Sequence, residues 1–170
     1  GLTFARVLYR HDHPVTVGEA EHKMGIRGSS TPPLYFTDCR VPKENLIGKP
    51  GGAFFMLEHV MTWEILCIFI MMVGEMQRRL EQCIDFAKKR TQFGAPIASN
   101  QYIAGKIVDQ KIGVDTARKH LYDTAARVAR KRSVVTEIAI AKLVTSEANL
   151  ASALSAVQIF GGRGYMREAG

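Results

Sequence analysis

The sequence predicts an α+β chain that is mostly α: the C-terminal part of a β-domain over residues 1–50, then a helical domain over 51–170 built as an antiparallel up-and-down bundle. Three observations predict it. Short β-rich runs and five of the prolines lie within the first 50 residues. From Gly52 onward, apolar residues recur at three- and four-residue steps over stretches far longer than a strand, as in helices that bury one face. The links between these stretches are short, which forces neighbouring helices to run antiparallel.

Residues 3–9 form a β-rich run, 14–17 a second and 34–36 a third, with Pro32, Pro33, Pro42 and Gly48 as punctuation. A complete sheet domain has more strands than this, so the region reads as the remainder of a β-domain whose start is absent. The first helix covers about 53–91, with Leu57, Val60, Glu64, Cys67, Ile68, Met71, Met72, Met76, Leu80, Cys83 and Phe86 or Ala87 along its stripe. Such a length predicts a kink or break, placed at Met61, Thr62 and Trp63 because Thr and Trp are poorer helix formers. The second helix covers about 100–131 behind Ser99 as N-cap. The third covers about 134–160, capped by Ser133 with Glu137 completing a capping box, and stopped by Gly161 and Gly162. Three helices of this length can pack, but bundles usually have a fourth; its absence predicts a chain truncated at both ends.

At 170 residues, 46% of them apolar and 23% charged, the chain has ordinary globular composition and enough length for one real core. A formal net charge of +7 suits nucleic acid, an anionic membrane or a phosphate-rich ligand. The densest basic run, Arg127, Arg130, Lys131 and Arg132, lies at a helix C-terminus, where the helix dipole favours cations without any partner. No basic stripe with stacking aromatics accompanies it, so nucleic acid is not expected. Cys39, Cys67 and Cys83 are odd in number and widely spaced, which argues against a disulfide framework or structural metal; Cys67 and Cys83 read as small buried hydrophobes. The apolar run 66–73 is eight residues long against the ~20 that a bilayer requires, so a buried helix and no membrane span are expected. His59 and His120 read as ordinary helical histidines, His11, Asp12 and His13 as a turn, and the methionines from 56 to 76 as core or pocket lining.

Two segments carry chemistry. Residues 158–165 (Gln158, Ile159, Phe160, Gly161, Gly162, Arg163, Gly164, Tyr165) close a long apolar helix with glycines where a phosphate-bearing ligand can approach. Arg90, Thr91, Gln92, Phe93 and Gly94 stand at another helix end. A guanidinium fork binds phosphate bidentately, and amides near glycines supply further donors.

Residues 23–31, beginning Lys23, Met24, Gly25, and residues 36–48, ending Asn45, Leu46, Ile47, Gly48, resemble the middle β-domain of acyl-CoA dehydrogenases. The two segments above resemble that family's flavin-contacting motifs, so the likeness covers most of the chain. It implies a flavin-dependent oxidoreductase that desaturates an acyl thioester between its α and β carbons, with FAD as cofactor and acyl-CoA or an acyl-carrier protein as substrate. It also implies a homo-oligomer, dimer or tetramer, located in the cytoplasm, or in the mitochondrial matrix if eukaryotic. By the same resemblance Arg90 pairs with the pyrophosphate of a neighbouring subunit's FAD, Phe93 packs on that cofactor with Gln92 beside it, and Gln101 is a further contact. Gln158, Gly161 and Gly162 lie along its adenosine side. Most members carry the catalytic Glu beyond the end of this chain. A minority carry it on the first long helix, and counting back from Arg90 and Gly74 puts Glu64 there as the α-proton base, with Thr62 at a substrate-contacting position. Ile65 stands where the family usually has an Arg. That departure is the argument for an alternative, a non-catalytic helical scaffold that keeps the fold; a related flavoenzyme with different chemistry is the other alternative.

Overall fold

The computed structural model describes residues 15–130 and 132–169. The expected strand at 3–9 and the His11, Asp12, His13 turn lie outside them. The chain divides into two compact units, Gly1–Ala53 and Phe54–Gly170.

In the first unit, β1 (Val15–Val17) pairs antiparallel with β2 (Leu34–Phe36), Val15 opposite Phe36 and Val17 opposite Leu34. The Gly18 amide extends the ladder by donating to the Pro33 carbonyl at 2.9 Å. A Cβ at Gly18 would stand 2.8 Å from Pro33 Cγ, so glycine is required by close packing there. The connection between the strands is pinned by Lys23, whose ammonium donates to Thr31 Oγ1 at 3.0 Å and to the Ser29 carbonyl.

In the second unit, α1 (Ala53–Lys89), α2 (Gln101–Ala129) and α3 (Val135–Phe160) run up, down and up. Residues before Arg79 on α1 meet the later part of α2, and residues after it the earlier part: Arg118 donates to Gln77 at 3.0 Å, and Gln110 to Cys83 Sγ at 3.7 Å. Ser152 on α3 donates to Gln110 at 3.4 Å, while near the other end of the pair Arg127 binds Glu137 at 2.9 Å. The first and third helices are therefore parallel to each other and antiparallel to the second.

The buried residues of α1 are Leu66, Phe69, Val73, Met76, Leu80, Cys83 and Ala87. Those of α2 are Gln110, Val114, Ala117, Leu121 and Thr124. Both sets step alternately by three and four, the heptad seam of helices that pack at a shallow angle. Gly113 allows close approach of α2 to α3, since a Cβ there would lie 3.3 Å from Ala148 Cβ. Leu66, Phe69, Val73, Met76, Leu80, Val114, Leu121 and Ile138 belong to one core cluster, each large side chain contributing roughly 1.5–3 kcal/mol on burial.

Several expectations are corrected. No break interrupts α1 at Met61, Thr62 and Trp63; the Thr62 hydroxyl instead donates to the Glu58 carbonyl one turn back at 3.2 Å. The expected stripe on α1 holds from Met76 onward, but Leu57, Val60, Glu64, Cys67, Ile68 and Met71 are exposed, and the core uses Leu66, Phe69 and Val73 instead. Cys83 is buried as expected, whereas Cys67 is exposed. Asn100, not Ser99, caps α2, its side chain accepting the Tyr102 amide at 2.8 Å. Val134 stands at the N-cap of α3 with no side-chain bond, because Glu137 is turned to Arg127 and the Ser133 box does not form. α1 is long enough to cross a membrane and holds an 18-residue window apolar enough to do so by composition, most of it unburied. The eight-residue run is thus part of a much longer apolar surface.

Candidate functional site

Because α1 and α3 are parallel, their C-terminal ends reach the same end of the bundle, and each carries one of the two motifs. The Arg90 amide closes α1 by donating to the Phe86 carbonyl at 2.8 Å. The chain then forms a tight hairpin where a plain link was expected: β3 (Thr91–Gln92) pairs with β4 (Ala95–Pro96). The two turn residues, Phe93 and Gly94, have φ of 52° and 82°, as a two-residue turn with both centres left-handed requires. Glycine suits that backbone and phenylalanine does not, a local cost of about 1–3 kcal/mol that tends to be stored at functional sites. The Phe93 ring is fully exposed at the hairpin tip. Arg90 is exposed and takes part in none of the ion pairs among the described residues. Gln92 is exposed, its amide donating to the Thr91 carbonyl at 2.8 Å, and Gln101 is exposed as the first residue of α2.

At the end of α3, Gly161 adopts φ 60° and ψ −137°, a conformation open essentially to glycine alone, and its amide donates to the Gln158 carbonyl. A tight turn of helix, Gly161–Tyr165, follows. The three glycines of that turn do different work. Gly161 serves the backbone bend, and Gly164 serves packing, because a Cβ there would meet the Val157 carbonyl oxygen at 2.7 Å. Gly162 faces open space, where an added Cβ would touch nothing within 4 Å. Gln158 and Arg163 are exposed beside it, so this end of α3 offers a further guanidinium that motif reasoning left aside. Phe86, one turn before the first motif, and Phe160, within the second, pack ring against ring with centroids 4.5 Å apart.

The proposed base lies elsewhere. Glu64 is exposed on α1 and none of the ion pairs or side-chain hydrogen bonds among the described residues involves it. Thr62 is half-buried and lines a mostly apolar cavity of 330 Å³ with Leu57, Glu58, Met61 and Ile65 of α1 and Val135 and Ile138 of α3; Glu58 is the carboxylate on its wall, and Glu64 is not on it. Residues two apart on a helix do not share a face, so Thr62 and Glu64 are not brought together. Glu64 lies 26 residues before Arg90, and the continuous helix between them ends at Lys89. At ~1.5 Å per residue the two are about 39 Å apart, farther than the span from a flavin ring to its pyrophosphate. The bundle end thus presents two guanidinium groups, amide side chains, an uncovered glycine and a projecting aromatic ring, a set suited to a diphosphate that carries flat ring systems.

Comparison with known proteins identifies the family. Residues 52–170 match the family described as acyl-CoA dehydrogenase, C-terminal domain. The chain is 35% identical over 164 residues to the L-prolyl-[peptidyl-carrier protein] dehydrogenase of Pseudomonas fluorescens, covering 96% of this chain and 43% of that protein. It is 37% identical to the human mitochondrial short-chain specific acyl-CoA dehydrogenase, covering 91% of this chain and 37% of the relative. Among solved structures, PigA with FAD and proline superposes with a TM-score of 0.89 at 30% identity, over 92% of this chain and 41% of that one. The chain therefore spans about two fifths of the length of these relatives. Fold and family match together define the class: a helical domain over residues 52–170 of the acyl-CoA dehydrogenase C-terminal type. The chain belongs to the acyl-CoA dehydrogenase family.

Proposed function

We propose that the protein is an FAD-dependent dehydrogenase that removes hydrogen from the α and β carbons of an acyl thioester, carried on CoA or on a carrier protein. The observation that carries this is the convergence of both glycine-marked motifs, with Arg90 in no ion pair among the described residues and Phe93 projecting, at one end of a bundle matched by the family over residues 52–170. Arg90 binds the pyrophosphate through its guanidinium, Phe93 and Gln92 pack beside the cofactor, and Gln101 adds an amide contact. Gln158, Gly161 and Gly162 receive the adenosine side, where Gly162 leaves the backbone uncovered. When bound, FAD supplies the acceptor for the β-hydrogen, which leaves as hydride. Glu64 takes the α-proton onto its carboxylate, and Thr62 contacts the substrate.

The distance along α1 supports a homo-oligomer, dimer or tetramer: with Glu64 as base and Arg90 as cofactor grip, the two residues of one chain are too far apart to serve one flavin, so in this reading each site takes them from different copies. In this reading the apolar surface of α1 is covered by protein, since Glu58 and Glu64 interrupt it where a lipid-facing helix would carry no charge. The relatives include a human mitochondrial enzyme and a bacterial one; the cytoplasm, or the mitochondrial matrix in a eukaryote, is the proposed location.

The test is spectroscopic. Purified protein should be yellow, and its flavin band should bleach on adding acyl-CoA or an acyl-loaded carrier protein. Glu64→Gln should keep the colour and lose the bleaching by at least about a hundredfold in rate, in line with the loss of a general base. A colourless protein that takes up no added FAD would support the scaffold instead, and undiminished bleaching would remove Glu64 from its role.

A further inference from the structure

The helix ends that carry the two motifs are joined by a small core of their own. Cys83, Ala156 and Ile159 are buried there, with Phe86, Ile103 and Phe160 packed against them, distinct from the main cluster along the rest of the bundle. Within it the Phe86 and Phe160 rings lie 4.5 Å apart, tilted by 33°. Phe86 is one turn before Arg90 and accepts the Arg90 amide on its carbonyl; Phe160 is the last residue of α3 and directly precedes Gly161. A single aromatic contact therefore connects the last turns from which the two motifs depart. Further along the same pair of helices, Arg79 donates to Asn149 Oδ1 at 3.0 Å and to Ser152 Oγ at 3.3 Å, which fixes the height of α3 against α1.

We propose that Phe86 and Phe160 are positioning residues for the cofactor: their ring contact sets the spacing between Arg90 and the Gly161 and Gly162 turn, so that both close on one FAD. The proposal rests on the FAD-binding reading above. Two exposed loops that must grip one ligand gain affinity when their separation is fixed beforehand, because less ordering is left to be done on binding. The main core cannot supply this, since its members lie further down the helices. Neither ring belongs to the cofactor-contacting set, so an effect on FAD would pass through the positions of Arg90 and Gly161.

The test measures FAD dissociation constants, flavin absorption and flavin circular dichroism for the wild-type protein and for Phe86→Leu, Phe160→Leu and the double variant, well below the unfolding temperature. Leucine keeps apolar bulk while removing the ring contact. Phe69→Leu, a buried ring in the main core, is the control for packing alone. Each variant of the Phe86–Phe160 contact, an aromatic clasp between the two helix ends, should raise the FAD Kd about tenfold, equivalent to ~1.4 kcal/mol, and change the flavin dichroism. The double variant should lose little more than either single one, because both break the same contact. Phe69→Leu should lower Tm while leaving the Kd within about twofold, the usual limit for uncoupled sites. Unchanged Kd in the clasp variants, or an equal rise with Phe69→Leu, would overturn the proposal. Should Phe160→Leu fail to fold, Phe86→Leu carries the test alone. A wild-type protein that binds no FAD would defeat the functional reading itself, a result distinct from variants that bind as well as wild type.

Discussion

Thr145 sits in the core with no solvent exposure, and its hydroxyl finds no partner among the described residues. A buried hydroxyl left unbonded costs ~1–3 kcal/mol, so Thr145→Val, which keeps the shape and drops the polar atom, should stabilise the fold by about 1 kcal/mol and raise Tm in a thermal melt. A lower Tm would mean that the hydroxyl is paired. The cysteines give a second measurement at this scale. Burial pushes the Cys83 thiol above its ordinary range, only partly offset by the Gln110 hydrogen bond and the Arg79 charge, whereas Cys67 is exposed. At mildly alkaline pH a thiol reagent should label Cys83 only after denaturation. The sign of the linked stability follows: the folded state holds the Cys83 proton more tightly than the unfolded chain, so this contribution is complete below the ordinary thiol range and is lost as pH rises through the folded value. Labelling of Cys83 in the native protein as fast as in the denatured protein would contradict the burial.

Helix ends show where sequence and structure part. Ser99 and Asn100 are adjacent and both are good caps, so which one serves depends on where the short turn Ile97–Ser99 hands over to α2. Asn100→Ala should cost about 0.5–2 kcal/mol in a denaturant titration, while Ser99→Ala and Ser133→Ala should be near neutral, because neither makes a cap bond. A loss at Ser133 equal to that at Asn100 would restore the capping box. The α1 seam from Met76 to Ala87 was legible because only one stripe there is apolar. Before residue 72 two stripes are apolar, and only the packing of Val134 and Ile138 against Leu66 and Phe69 selects between them. The motif residues were legible from their order along the chain, since glycines and a guanidinium at helix ends have a chemistry of their own. The left-handed backbone of Phe93, the packing demand on Gly164 and the Phe86 to Phe160 contact were not. Each depends on a neighbour distant in sequence or on a turn geometry that an aromatic residue does not advertise.

At the scale of the molecule, α3 has a second apolar seam opposite the first: Ile140, Leu143, Leu150, Leu154 and Val157 step by the same heptad rule and are exposed, Leu154 at 64%. A helix apolar on both sides is built to be covered on both. In the proposed reading this seam and the length of α1 between Glu64 and Arg90 belong to a site shared between copies, and the consequence can be tested by mixing defects. If base and cofactor grip come from different copies, then Glu64→Gln chains and Arg90→Ala chains should each be inactive alone. In a mixed pair, one site receives both defects, while the other receives the intact Arg90 of the first chain and the intact Glu64 of the second. Co-expressed and purified through distinct tags, such hybrids should recover about half of the wild-type activity per dimer, as expected of two sites that act independently. If both residues served one site within a single chain, every hybrid site would carry one defect, and activity would stay at the level of the single variants. Hybrids of confirmed composition that stay inactive would therefore place Glu64 and Arg90 in the same site, against the separation set by the helix between them.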